Sequence, residues 1–460
     1  MSVLTPKLAV ARAVGGLARA AGRGGGTSLP GKVLMRLDPQ AIRALAARLP
    51  EGSVAISATN GKTTTAAMVA AVLEQHGTRL VHNRAGANMA GGIASTLLAA
   101  ARGGGIDGEL GLFEVDEFWL PQLAGELAPR ALLLGNLFRD QLDRYGELET
   151  IAERWAEVVA RLPADTRLVV NADDPLVADL GRAREHVVTF GVEDDAMALP
   201  QMQHAADSKH CRRCGHAYEY EAIYLGHLGR YACPQCGARR PDPEVVARDV
   251  RLNGTRDAAF ALQIGDAQAV VTLPLPGLYN VYNALGAAAL CHALGVPFEQ
   301  IVDGLQAVEA AFGRAETIQL DGRALSILLI KNPAGANEVL RTLALEDRVG
   351  GNSIDLLAVL NDNVADGRDV SWVWDADFEL LAGRVRRVTC AGTRAGELAV
   401  RLKYAGVEPE RLAVVPELER ALDEARAAAP ETLYALPTYT ALLALRELLA
   451  RRGAAPEYWR

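Results

Sequence analysis

The stretch Ser57-Ala58-Thr59-Asn60-Gly61-Lys62-Thr63-Thr64 follows a short apolar run, Val54 to Ile56, and precedes an Ala-rich helical stretch without glycine. A Gly-Lys-Thr placed between a strand and a helix lets backbone N–H groups and the helix N-terminus surround a polyphosphate. Lys62 would then reach the terminal phosphates, and the Thr63 hydroxyl would ligate Mg2+. The glycine that the strict pattern carries six residues before the lysine is Ile56 here, so the loop is a variant of that pattern.

The second chemical group is Cys211-x-x-Cys214 and Cys233-x-x-Cys236, each pair followed by glycine (Gly215 and Gly237). These pairs resemble zinc-ribbon knuckles: a tight Cys-x-x-Cys-Gly turn aims two thiolates at one ion, and two turns complete a tetrahedron for Zn2+. A thioredoxin-like redox pair would need a single Cys-x-x-Cys at a helix start. Four thiolates leave no open position for water, so the expected role is structural. Cys291 and Cys390 lie in apolar runs and read as core residues. Cys291 precedes His292, but neighbours on a helix point about 100° apart and make a poor catalytic dyad.

Strand-like runs alternate with helical patterns around these groups: "SVAIS", "ELGLFEV", "ALLLGN", "RLVVN", then "LSILLI", "DLLAVL", "RVRRVTCAG", "RLAVV" and "ETLYALP". Several are apolar on both faces, as in a buried parallel sheet, so the fold class is α/β. A chain of 460 residues exceeds one core. We expect a basic N-terminal helical segment and Gly-rich loop (1–45), a central domain (46–315) with a cysteine-bearing insert at about 203–242, and a C-terminal Rossmann-like α/β domain (316–460).

The formal net charge of -8 argues against nucleic acid as a partner. Met1 to Leu37 nevertheless contains no Asp or Glu, while Lys7, Arg12, Arg19, Arg23, Lys32 and Arg36 fall there. Val10, Val14 and Leu17 share a helical face. The favoured reading is a solvated helix packing on the body, and the other is a helix near an anionic membrane surface. No run has the length of a membrane span or the unbroken apolar core of a secretory signal. The expected location is cytoplasmic, with peripheral contact at the inner membrane face left open.

The variant loop Thr-Asn-Gly-Lys-Thr-Thr-Thr resembles the ATP loop of the Mur ligase superfamily, and further segments match in order: "FEVDE", "GNLFRDQLDRYGE", "VVNADDP", "PGLYNVYNALGAAA" and "FGRAE". The resemblance implies a Mur-ligase-like P-loop ATPase that forms an acyl phosphate from a carboxylate and ATP before an amine displaces phosphate. It implies that Thr59, Asn60, Gly61, Lys62, Thr63 and Thr64 hold the phosphates and that Thr63 and Glu114 bind Mg2+. Asn280 and Asn283 would lie beside the adenine, and Arg314 would meet the ribose. Taken singly, Glu114, Asp116 and Glu117 could equally be a solvated strand end. The inserted four-cysteine zinc ribbon, with "LLIKNPAGANEVLRTL", "LNDNVADGRDVSWVWDADFE", "CAGTRAGELAVRLKYAG" and "ALPTYTALLALRELL", resembles the MurT-type subunits of lipid II isoglutaminyl synthase. Because the ATP-type loop begins early in this sequence, we expect no counterpart of the N-terminal UDP-binding domain that soluble-precursor ligases carry.

That second resemblance implies amidation of the D-glutamate α-carboxylate of the lipid II stem peptide to D-isoglutamine. Ammonia would come from a GatD-type class I glutamine amidotransferase subunit. It also implies that this chain lends the partner's catalytic histidine an aspartate; Asp362, just beyond a strand, is the favoured residue, ahead of Asp369 and Asp366. The lysine that many Mur ligases carbamylate has no evident counterpart, because Lys209 is the single lysine between Asn171 and Lys331. Lys331-Asn332-Pro333 replaces the segment found in amino-acid-adding relatives, and Lys331 could meet a phosphate or carboxylate. Two other readings compete: a stand-alone amino-acid ligase of Mur or folylpolyglutamate type, and a zinc-ribbon scaffold with a degenerate ATP loop.

Overall fold

The computed structural model describes residues 4–20, 28–83, 87–140, 148–204, 206–308, 314–346 and 354–455. A nine-stranded mixed sheet carries the phosphate-type loop. Its spatial order is β13 (Ala267–Leu273), β12 (Asp257–Ile264), β11 (Val245–Asn253), β8 (Val187–Val192), β7 (Arg167–Asn171), β6 (Ala131–Leu134), β1 (Ser53–Ser57), β5 (Leu110–Glu114) and β2 (Leu80–His82). From β2 to β11 the strands are parallel, and β12 and β13 add an antiparallel edge. A short pair, β3 (Ala101–Arg102) and β4 (Gly105–Ile106), closes a turn.

β1 is buried throughout because helices cover both faces of the sheet. Its pleat sends Val54 and Ile56 to a core shared with helices Lys62–Gln75 and Leu278–Ala293, and Ala55 to the opposite core with Trp155 and Ile93. A run buried on both faces carries no alternation to read, so the apolar runs of this sheet show as continuous stretches in the sequence. The β11–β13 meander is not among the strands expected from sequence. Its outer strand β13 alternates partly buried and exposed residues, a weaker signal than an apolar run.

A six-stranded sheet follows in the order β14 (Arg314–Leu320), β15 (Arg323–Leu328), β19 (Leu433–Pro437), β16 (Ile354–Val359), β17 (Val385–Ala391) and β18 (Leu412–Val414). It too has a core on each face: Leu356 and Ala358 point to one, Leu357 and Val359 to the other. The cysteine-bearing insert forms an antiparallel hairpin, β9 (Glu219–Leu225) and β10 (Leu228–Ala232), between the two Cys-x-x-Cys turns.

The N-terminal helix Leu4–Ala20 packs on the body, as the favoured reading expected, but through a different face. Leu8, Ala11 and Gly15 are buried, whereas Val10 and Leu17 are 51% and 71% exposed. Gly15 lets this face approach closely: a Cβ there would meet Pro30 of helix Leu29–Leu37 at 2.6 Å. Lys7 pairs with Asp38 at 3.0 Å, and Arg12 donates to the Leu98 carbonyl at 2.8 Å, so two of the basic residues anchor the helix. Among the described residues no helix is long and apolar enough to cross a membrane.

Candidate functional site

β1 ends beneath the loop Ala58–Gly61, and helix Lys62–Gln75 starts directly after it. Gly61 has φ 85°, a left-handed conformation that glycine adopts without steric cost. The position also lacks space: a Cβ there would lie 1.9 Å from Asn283 Oδ1. Helix Leu278–Ala293 therefore presses an amide directly onto the loop. Asn283 lines the adjoining cavity and donates to Asn280 Oδ1 at 3.0 Å; Asn280 stands behind it, donating to the Pro276 carbonyl at 2.8 Å.

The cavity has a volume of ≈ 360 Å³ and brings together residues distant in sequence. Thr59, Asn60, Gly61, Lys62, Thr63 and Thr64 line it from the loop, Glu114, Asp116 and Glu117 from the end of β5, and Asn136 and Asp140 from the segment after β6. Lys331 and Glu338 line it from the C-terminal half. The Arg314 side chain and residues 141–147, which include Gln141, lie outside the described residues.

The acids are buried, which removes the solvated-strand-end reading: Glu114 is 3%, Asp116 7% and Glu117 3% exposed. Lys62 Nζ donates to Glu117 Oε2 at 2.7 Å and to the Thr59 carbonyl at 3.3 Å. Burial opposes the Lys62 charge, but Glu117, Asp116 and Glu114 together outweigh it and hold the ammonium above its ordinary range. Glu114 is oriented by Asn88 Nδ2 at 3.1 Å, while Asn83 brackets its backbone through N–H and carbonyl. Asp116 is pushed up by burial and by the Glu117 charge beside it.

Two clamps close the loop. Asn136 Oδ1 accepts from Asn60 N at 2.9 Å and its amide donates to the Asn60 carbonyl at 3.0 Å, while Asn332 Nδ2 donates to Asn60 Oδ1 at 2.9 Å. Asn332 also caps helix Pro333–Ala344 by accepting from Gly335 N at 2.8 Å. Lys331 pairs with buried Asp140 at 2.5 Å and donates to the Thr59 carbonyl at 3.3 Å. Burial pushes the Asp140 carboxyl up despite that lysine. Sequence reading missed the roles of Glu117, Asn136, Asp140 and Asn332. All four lie in segments it singled out, but each role depends on a partner remote in the chain. Lys209 is exposed and does not line the cavity.

The four clustered cysteines converge, with all sulfurs within 4.8 Å of one another. Gly215 and Gly237 have φ 74° and 71°, and their N–H groups bond the Cys211 and Cys233 carbonyls, closing two equivalent knuckles. Burial would raise the Cys211 thiol, but donation from Arg213 N, Tyr218 and Cys214 N lowers it to about 6. This donor set and geometry fit a tetrahedral zinc ion. Cys291 and Cys390 are buried core residues; burial pushes the Cys390 thiol up to about 12, and His292 pairs instead with Glu244 at 3.0 Å.

The three candidate aspartates lie beyond β16. Asp362 is partly exposed and accepts from Thr393 Oγ1 at 2.7 Å and Arg394 Nη1 at 3.1 Å, which hold its carboxyl below the ordinary range. Asp366 is buried and caps helix Tyr439–Arg451 by accepting from Thr440 N at 2.7 Å; Asp369 accepts from Ser371 N at 2.8 Å. Of the three, Asp362 alone is held by side chains of a neighbouring loop rather than spent on capping a helix or turn.

Residues 56–233 match the Mur ligase middle domain and residues 329–442 the MurT ligase C-terminal family. The chain is 34% identical over 434 residues, 93% of either chain, to the lipid II isoglutaminyl synthase (glutamine-hydrolyzing) subunit MurT of Staphylococcus aureus strain N315. It is 32% identical over 437 residues, again 93% of either chain, to the same subunit of Streptococcus pneumoniae. Among solved structures, a pseudomurein peptide ligase type C from Methanothermus fervidus superposes with TM-score 0.67 at 24% identity, covering 89% of this chain and 80% of that one. The MurF ligase of Thermotoga maritima in complex with ADP gives TM-score 0.63 at 14% identity, covering 91% and 85%. These structural likenesses establish a Mur-ligase-like α/β fold. By its sequence likeness along nearly the whole chain, the protein belongs to the MurT family of lipid II isoglutaminyl synthase subunits, within the Mur ligases.

Proposed function

We propose that this chain is the ATP-dependent synthetase subunit of a lipid II isoglutaminyl synthase. It activates the D-glutamate α-carboxylate of the stem peptide as an acyl phosphate, and ammonia from a GatD-type glutaminase partner converts that to D-isoglutamine. The observation that carries the reading is one cavity lined by Lys62 and three buried acids of the first sheet and by Lys331 of the second, with Asn332 bonding the loop residue Asn60 beside it. Residues 46–315 serve as a P-loop ATP-binding domain with the four-cysteine insert at about 203–242, preceded by segment 1–45, and residues 316–460 serve as a Rossmann-like lid.

In this reading the loop backbone, Thr59 to Thr64, cradles the phosphates of ATP, with adenosine held by Asn283, Asn280 behind it, and Arg314. Thr63 and Glu114 would hold Mg2+, which neutralises phosphate charge. A carboxylate oxygen of the substrate attacks the γ-phosphorus, the bond to the β–γ bridging oxygen breaks, and ADP leaves. Lys62 moves from Glu117 toward the transferring group and stabilises its charge. Ammonia then attacks the acyl carbon, the C–O bond to phosphate breaks, and a proton is lost from nitrogen. Lys331 and Asn332 close over the loop and exclude the water that would hydrolyse the intermediate. Zn2+ on Cys211, Cys214, Cys233 and Cys236 is structural. The outward Val10 and Leu17, with exposed Lys32 and Arg36, suit contact with an anionic membrane face that presents the lipid-linked substrate.

The test is phosphate release by the purified chain with Mg-ATP and lipid II, supplied with ammonium or with glutamine. Turnover with ammonium, and with glutamine only after the partner is added, is expected. Turnover with an added amino acid and none with ammonium would instead make this a stand-alone ligase.

A further inference from the structure

The four-cysteine insert reaches the ligand cavity. Its hairpin turn places Leu225 and Leu228 in the cavity wall, which Leu328, Leu329 and Val339 of the C-terminal half also line. The hairpin register jumps between Leu228 and Gly229: Leu225 pairs with Leu228 and Ile223 with Gly229, so Tyr224 is skipped. Such an irregularity takes a residue out of the ladder and frees its backbone for another partner.

That partner is Arg341, on helix Pro333–Ala344. Its Nη1 donates to the Tyr224 carbonyl at 2.8 Å and its Nη2 to the Met197 carbonyl at 3.1 Å. One turn earlier on the same helix, Glu338 lines the cavity, is 2% exposed, and lies 3.7 Å from Arg341. A second set of bonds surrounds the same turn. Gln203 Oε1 accepts from Gly226 N at 2.8 Å, while its Nε2 donates to Asp377 Oδ2 at 3.3 Å. Asn337 Nδ2 donates to that same Asp377 oxygen at 2.9 Å, returning the chain of bonds to helix Pro333–Ala344. Arg139 adds a third link, pairing with Asp207 just before the first knuckle and with Asp375 at 3.5 Å.

We propose that the hairpin of the four-cysteine insert is the seat on which helix Pro333–Ala344 docks to complete the ligand cavity, with Arg341 as the positioning residue. This rests on the reading of the cavity as the ATP and carboxylate site. The insert's knuckles stiffen the base of the hairpin, and its irregular turn offers the carbonyl that Arg341 grips. Closure by Lys331 and Asn332 is thereby referenced to the insert as well as to the phosphate loop.

The experiment compares wild type, Arg341→Ala and Arg341→Lys full-length chains by amide hydrogen exchange and by calorimetric binding of Mg-ATP. In Arg341→Ala, amides of 333–344 and of 225–228 should lose protection together while the cysteine knuckles keep theirs. The Mg-ATP Kd should rise about tenfold, because apparent affinity falls with the fraction of molecules whose cavity is complete. Arg341→Lys keeps a charged donor for the Tyr224 carbonyl and should recover part of both. Unchanged exchange and Kd in a folded Arg341→Ala chain would overturn the proposal. Should that variant not fold, Asp377→Ala cuts the Gln203 link from the other side, and the same two read-outs decide. A wild-type chain that binds no Mg-ATP would refute the nucleotide reading, while the exchange comparison still judges the seat.

Discussion

Lys62 and Glu117 form a buried pair whose members depend on each other. Removing one partner of such a pair leaves an uncompensated charge at a cost of about 3–5 kcal/mol. Lys62→Met should therefore lower both thermal stability and phosphate release, the latter by ~100-fold or more through lost charge stabilisation. Adding Glu117→Gln should restore the melting temperature without restoring turnover. A double variant that regains turnover would remove Lys62 from the chemistry. Asp140 provides the pH signature. Its folded-state pKa lies above the ordinary value of 3.8 because burial disfavours the anion, so its favourable contribution is complete below that value and declines as pH rises through the raised one. Asp140→Asn lacks that decline. The stability of the variant relative to wild type should rise as pH increases from below 3.8 toward neutrality, read by melting at a series of pH values. A pH-independent difference would contradict this.

The cysteine knuckles of the insert are the element whose order is expected to depend on a metal. Two knuckles closed by left-handed glycines position four thiols, but the local hydrophobic cluster is small, comprising Cys211, Cys233 and Ala238 with Tyr218 packed against it. So small a core cannot order the turns alone. Metal analysis should find one zinc per chain, and Cys211→Ser or Cys214→Ser should lose it together with exchange protection at Glu219–Leu225. Zinc-free protein with full protection would show that packing alone holds the hairpin. The spacing of the cysteines was legible because a knuckle is a local motif. The grip of the hairpin on a helix more than a hundred residues later was not, since the bulge that frees the Tyr224 carbonyl has no residue signature.

For the whole molecule, the sheets meet at a cavity whose walls come from both; the loop beyond β16 supplies Ala365 to that wall, while Asp362 of the same loop is not among the lining residues. Its partly exposed carboxylate, held by Thr393 and Arg394, is oriented without being enclosed. If it completes the partner's histidine arrangement, Asp362→Asn should cut the ratio of glutamine-driven to ammonium-driven amidation at least ~100-fold in the reconstituted complex. An unchanged ratio would move that role to another residue. Asp366 and Asp369, occupied in capping, should change stability more than this ratio.

The phosphate-type loop, the four thiols, the β-α alternation, four parallel strands of the first sheet and most strands of the second were readable from the sequence, because each is a contiguous pattern imposed by hydrogen bonding, pleat and turn geometry. The sequence also carried the family, through segments in fixed order. The tertiary structure alone decided which face of the N-terminal helix packs, burying Leu8, Ala11 and Gly15 and leaving Val10 and Leu17 outward. It decided that Glu117 partners Lys62, that Asp140 receives Lys331, and that Asn280 stands behind Asn283. These are pairings between side chains far apart in the chain, and strand order and the packing of one sheet's helices on another's turns determine which of them meet.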